Sequence, residues 1–157
     1  MAPSHVSQSE LPFGWRLSTL TVCGGLAMGY VLDFDARNNI IRLTIKDRFT
    51  DEVMSNAYRA ITAYVAFHPP CRGIVNFSDV TEFEVSTDAV QKLAERSPAF
   101  PIGSVRIFVC SRTVIYGMAR MFQILGGPTR PDLQVAHTLD EAYDLLKAEA
   151  PDFGPVS

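Results

Sequence analysis

The chain has 157 residues, 47% of them apolar and 20% charged, with a net charge of -3 and a pI near 5.5. That length suits one domain with a real core, and that composition excludes a largely disordered chain. The mildly acidic balance leaves no basic excess for phosphate contacts, so no nucleic-acid partner is expected.

No apolar run approaches the roughly 20 residues that a bilayer span needs. The opening segment, MAPSHVSQSELPFGWR, lacks the basic flank and apolar stretch of a secretory signal. Cys23, Cys71 and Cys110 lie far apart, form no CxxC pair and match no zinc pattern. An odd count of scattered cysteines suits a reducing compartment, so the expectation is a cytoplasmic protein without a membrane span.

Residues 1–27 read as an N-terminal arm, its Met1–Arg16 part polar and containing proline, with Phe13 and Trp15 available to dock on the domain. Leu17–Val22 is either an extra strand or part of that arm. The domain is expected over 28–150. Tyr30, Leu32 and Phe34 alternate with Val31, Asp33 and Asp35, and after an Asn-rich turn Ile41, Leu43 and Ile45 alternate with Arg42, Thr44 and Lys46. Two period-two runs across such a turn predict an antiparallel hairpin. Thr50 is placed to cap a helix with Asp51 and Glu52 in its first turn and Val53, Ala57, Ile61 and Tyr64/Val65 inward; His68-Pro69-Pro70 ends it.

Gly73–Phe77 predicts a buried strand, followed by a short polar loop. Ser86-Thr87-Asp88 then opens a helix to about Arg96, with Ala89, Val90, Leu93 and Ala94 inward. Val105–Cys110 is another apolar strand. Thr113–Leu125 is a helix with Ile115, Met118, Ala119, Phe122 and Leu125 on one face, stopped by Gly126-Gly127-Pro128. Leu133–His137 is a short strand, Thr138 caps a helix over Leu139–Ala148, and 151–157 reads as a loose tail. The predicted order, β-β-α-β-α-β-α-β-α, implies a single α/β domain. Its sheet is mostly parallel, with one antiparallel hairpin strand at an edge and about four helices. Self-association through that hairpin edge, as a homodimer, is compatible with the pattern.

This order resembles the STAS domain, the fold of bacterial anti-sigma-factor antagonists, over roughly Met28 to Ala148. The centre of the likeness is Asn76-Phe77-Ser78-Asp79-Val80-Thr81, similar to the D-L-S-x-V-x segment after that family's central strand. In the family a D-S-S-G-type helix start follows, whose serine a partner kinase phosphorylates. Ser86 falls on that serine, with Glu84-Val85 in place of Asp-Ser and Thr87 in place of Gly. Val114–Phe122 and Thr138-Leu139-Asp140-Glu141-Ala142 also resemble a divergent subgroup grouped with STAS and CRAL-TRIO lipid-transfer domains. The resemblance implies a non-enzymatic regulatory or protein-interaction module whose partner is an anti-sigma factor or a kinase-like protein, with Ser86 and Thr87 as phosphoswitch candidates.

Each candidate also has a simpler structural reading. A phosphate at Ser86 or Thr87 would gain from free helix amides, whereas an unmodified Ser86 is simply an N-cap. Ser78 and Asp79 lie beside that helix start on the expected docking face. Arg112, Tyr116 and Arg120 recur at i, i+4 and i+8, and with Ser111 and Thr113 at a helix start they form an anion-binding candidate; the simpler reading is a solvated rim. Phe108, Met118, Met121 and Phe122 suit either core or a pocket. The alternative function is therefore a carrier of a small apolar or anionic ligand, or a lipid, between the sheet and the 113–125 helix, with Arg112 or Arg120 at its mouth. His5, His68 and His137 are scattered, Cys110 ends a strand, and the glycine pairs match no phosphate loop. No catalytic set, metal ligand set or cofactor motif is expected.

Overall fold

The computed structural model describes residues 29–68 and 71–156. The expected arm, including His5, Phe13, Trp15, Leu17–Val22 and Cys23, lies outside the described residues. The described chain runs β1 (Tyr30–Asp35), β2 (Ile40–Thr50), α1 (Asp51–Ala66), β3 (Arg72–Glu84), α2 (Thr87–Glu95), β4 (Arg106–Val109), α3 (Thr113–Gly126), a single 3-10 turn, β5 (Leu133–Ala136), α4 (Leu139–Leu146) and β6 (Gly154–Pro155). This is the predicted α/β order, with one strand added at the end.

The six strands form one mixed sheet in the order β5-β4-β3-β2-β1-β6. β1 pairs antiparallel with β2, and β2 through β5 pair in parallel with their sequence neighbours. Because each crossover steps one strand in the same direction with the same hand, α1, α2 and α3 share one face. There Met54, Ala57, Ile61, Val90, Ala94, Met118 and Phe122 pack on Leu43, Ile45, Phe49 and Phe77. α4 covers the other face, setting Ala142 and Leu146 on Ile40, Ile74, Ile107 and Val109. The central strands are therefore buried on both sides, which explains their near-continuous apolar runs.

Three expectations need correction. The polar loop after Phe77 is strand: β3 continues to Glu84. Two register shifts against β2 let Val80 turn inward, while Asp79, Glu82 and Glu84 face solvent. There they pair with Lys46 and Arg48 across the ribbon. Asp47, with φ of 56°, sits between those shifts, and Asp tolerates the left-handed conformation better than most residues. Second, the tail is not loose at its centre, because Gly154 and Pro155 pair with Phe34 and Asp33. That short strand lies outside β1, so the hairpin strand is next to the edge rather than at it. Third, Leu125 is exposed, and the apolar stripe of α3 continues to buried Gly126 instead.

Candidate functional site

The strand ends and helix starts that the sequence singled out lie along one rim. Ser86 caps α2: its Oγ accepts the Ala89 N–H at 3.1 Å. The same hydroxyl donates to Asp51 Oδ2 at 2.8 Å, and the Ser86 N–H donates to Asp51 Oδ1 at 2.8 Å. Asp51 is the first residue of α1, so this clasp ties the starts of two helices together and places a carboxylate on the dipole of each. A phosphoryl group on Ser86 would displace the clasp and stand beside the Asp51 charge. Thr87 is exposed in the first turn of α2, and Ser78 is exposed on β3, its N–H bonded to Asn76 Oδ1 at 3.0 Å.

We expect Ser86→Ala to lower stability by about 1 kcal/mol, the usual effect of losing a serine cap. Urea denaturation of Ser86→Ala, Asp51→Ala and the double variant checks this. The losses should be less than additive, and strict additivity would show that the clasp contributes nothing.

The structure separates the other rim candidates. Arg112 donates to Thr81 O at 3.0 Å and Val80 O at 3.4 Å, which pins the start of α3, with exposed Ser111 and Thr113, to the ribbon. Tyr116 stacks on His137 with ring centroids 4.5 Å apart. Arg120 donates to Gln123 Oε1 at 3.0 Å. The three share a helix face as expected, but each has a separate protein partner and they do not converge on one point. Asp79 pairs with Lys46 at 2.7 Å. His68 stacks on Tyr64 beyond the end of α1. Cys110 is wholly buried, and burial pushes its thiol up to about 12, so it is an inert small apolar residue at neutral pH.

A second site lies inside. Between the sheet and α1, α2 and α3 is a cavity of about 100 Å³, partly open to solvent and lined by Leu43, Ile45, Phe49, Val75, Phe77 and Phe108 from the strands and by Met54, Ala57, Ile61, Val90, Leu93, Met118 and Phe122 from the helices. Of the four residues that suit either core or a pocket, Phe108, Met118 and Phe122 line this space and Met121 does not. Phe100, from the loop before β4, closes one side. Its ring lies so close to Gly73 that a Cβ there would sit 2.5 Å from Cζ, so only glycine allows this packing.

The cations at this cavity are not those expected. Arg112 and Arg120 are absent from its lining, whereas Arg106 and Arg130 are part of it. Both are buried, at 6% and 3% exposure. Arg130 is well served: its guanidinium donates to Ala94 O at 2.8 Å, Arg96 O at 2.9 Å and Leu93 O at 3.3 Å, closing the C-terminus of α2. Gly126 makes room for it, since a Cβ there would lie 2.9 Å from Arg130 Cδ. Arg106 is poorly served. Its one hydrogen bond among the described residues runs from Nη1 to Ser104 O at 3.4 Å. Phe100 lies under the guanidinium at 5.6 Å. Burial first, then the like charge of Arg130, pushes the Arg106 guanidinium below its ordinary value, with Asp132 acting weakly the other way. Asp132 instead accepts the Gly103 N–H at 2.6 Å.

Sequence reasoning missed Arg106, although a signal was present. It is the single charge inside Val105–Cys110, and a central strand covered on both faces has no exposed position to give it. Among the described residues no cluster of three or more His, Cys, Asp or Glu could hold a metal ion, and no helix is long and apolar enough to cross a membrane. Comparison with protein-family models, curated proteins and solved structures finds no match for this chain. Nothing in these comparisons identifies a STAS-like domain.

Proposed function

We propose that this protein is a non-enzymatic, cytoplasmic ligand-binding module of STAS-like layout, which holds a small molecule between its sheet and the α1–α3 layer. The observation that carries the reading is the apolar cavity beneath α3 with the under-bonded Arg106 in its wall. Well-packed cores rarely leave voids larger than a water, and an apolar cavity of somewhat larger size takes up benzene. A buried cation beside such a space is costly unless something answers its charge. The free thiols of Cys71 and Cys110 suit a reducing compartment.

Native mass spectrometry of the full chain, purified without denaturation, tests the reading together with a methyl NMR titration using benzene. The expected results are a copurified small molecule and saturable shifts at Met54 and Met118. An empty protein whose methyls do not respond would overturn it.

A second reading keeps the rim as a protein-docking face of the anti-sigma-factor-antagonist type. It is supported by exposed Ser78, Asp79, Ser86 and Thr87 along one ribbon and helix start. Incubation with candidate kinases should then add a phosphoryl mass at Ser86 or Thr87. No mass shift at either would remove the phosphoswitch.

A further inference from the structure

We propose that the cavity is a site for a small monocarboxylate with a short branched or cyclic hydrocarbon tail, its carboxylate answered by Arg106; this rests on the ligand-binding reading and names the chemistry of that site. The charge argument comes first. Arg106 is at least nine-tenths buried and faces the cavity, yet among the described residues only Nη1 has a hydrogen-bond partner, at the long distance of 3.4 Å. Nε and Nη2 have no partner among the described residues and stay accessible rather than sealed in, since no side-chain nitrogen there is both buried and unpartnered. They form the planar edge of a guanidinium that donates to two carboxylate oxygens side by side. No carboxylate of the described residues forms an ion pair with it, and Asp132 is turned to the Gly103 N–H. Arg130 adds a second buried positive charge, so the field at this end of the cavity favours an anion.

Size and polarity narrow the class. The cavity measures about 100 Å³, two-thirds of the roughly 150 Å³ of a cavity that takes benzene, so a tail of about four carbons fits beside a carboxylate and a long acyl chain does not. Apart from the two arginines the wall is almost wholly apolar, built from residues such as Ile45, Val75, Phe108, Met118 and Phe122. A phosphate would need several further donors to replace its water, and beyond the arginines the wall offers only the Tyr58 hydroxyl, which already donates to Ser97 O. A carboxylate presents two acceptors and a dry tail, which matches one fork and an apolar box.

The test is isothermal titration of the full chain with isovalerate, its neutral isostere isovaleramide, decanoate and inorganic phosphate. Isovalerate should bind at one site, roughly 10- to 100-fold tighter than isovaleramide, the factor expected for a charge-assisted pair. Arg106→Met should reduce that ratio to near one while isovaleramide still binds, and Arg106→Lys should restore part of it. The comparison of the two wild-type titrations stands even if a variant fails to fold. Equal affinity for acid and amide would overturn the carboxylate assignment and leave the ligand-binding reading intact. So would binding of decanoate or phosphate with no binding of isovalerate. Binding of none of the probes, with benzene also silent in the methyl titration, would overturn both.

Discussion

Arg106→Met is expected to raise the stability of the ligand-free protein, by about 2 kcal/mol. The wild-type side chain has given up most of its contact with water, at 6% exposure, keeping only its unbonded nitrogens accessible, and in return it has one long hydrogen bond and an aromatic ring 5.6 Å away. A second positive charge, Arg130, acts on it. Methionine fills a similar volume without charge, and its flexible thioether suits the neighbouring Phe100 and Phe108. For a chain of this size the gain corresponds to roughly 6 °C in melting temperature. Arg130→Met should have the opposite sign. That side chain closes three carbonyls at the end of α2, and its loss leaves buried acceptors unpaired, which costs about 2 kcal/mol. Differential scanning calorimetry of both variants without ligand decides the matter. A melting point for Arg106→Met below that of wild type would mean that the charge is well accommodated, and the case for an anionic ligand would fail.

A stabilising substitution in a core is uncommon, because most core changes create voids or strain. Where one exists, the native residue is retained for something other than folding, and binding is the usual reason. The contrast between the two arginines makes this specific. They lie at the same cavity, are equally buried, and differ in whether the fold itself answers their donors.

The order of elements was legible because three of the four helices carry their own start signal. Thr50, Ser86 and Thr138 are observed caps, accepting from Val53, Ala89 and Glu141 N–H respectively. The outer half of β3 was hidden because its charged residues read as loop; their ion pairs with Lys46 and Arg48 on the neighbouring strand depend on tertiary pairing that local pattern does not encode. The tail was hidden for the same reason, since two residues of strand have no period. At the candidate site, Phe108, Met118 and Phe122 could be placed by helical and strand spacing. Arg106 and Arg130 could not be joined, because they are brought together only when β4 and the turn before β5 pack against the end of α2.

Asp35→Ala is expected to destabilise the fold by about 3 kcal/mol and to free the C-terminal segment from the sheet. Asp35 ends β1 with no exposed surface. Its carboxylate accepts four N–H groups: Arg37 N at 3.0 Å, Asn38 N at 3.2 Å, Asn38 Nδ2 at 2.6 Å and Asp152 N at 3.2 Å. Asn38 in turn exchanges hydrogen bonds with the backbone of Glu149. Nearby, Arg42 pairs with Asp33 at 2.7 Å and lies 3.9 Å from the Phe153 ring. The hairpin turn and the segment after α4 are thus one unit, and Asp35 is its centre. Burial alone would push the carboxyl up, but the donors from Asn38, Asp152 and Arg37 together hold it below its ordinary 3.8. A depressed acid contributes its stability above the unfolded value and loses it as pH falls through the folded one. Wild type should therefore weaken below about pH 4 more steeply than Asp35→Asn, which keeps the shape but carries no charge to titrate. Hydrogen exchange should show the amides of 152–154 losing protection in Asp35→Ala while those of β3 and β4 keep theirs. Parallel acid curves for wild type and Asp35→Asn would mean that the carboxylate charge is not what holds this end of the sheet closed.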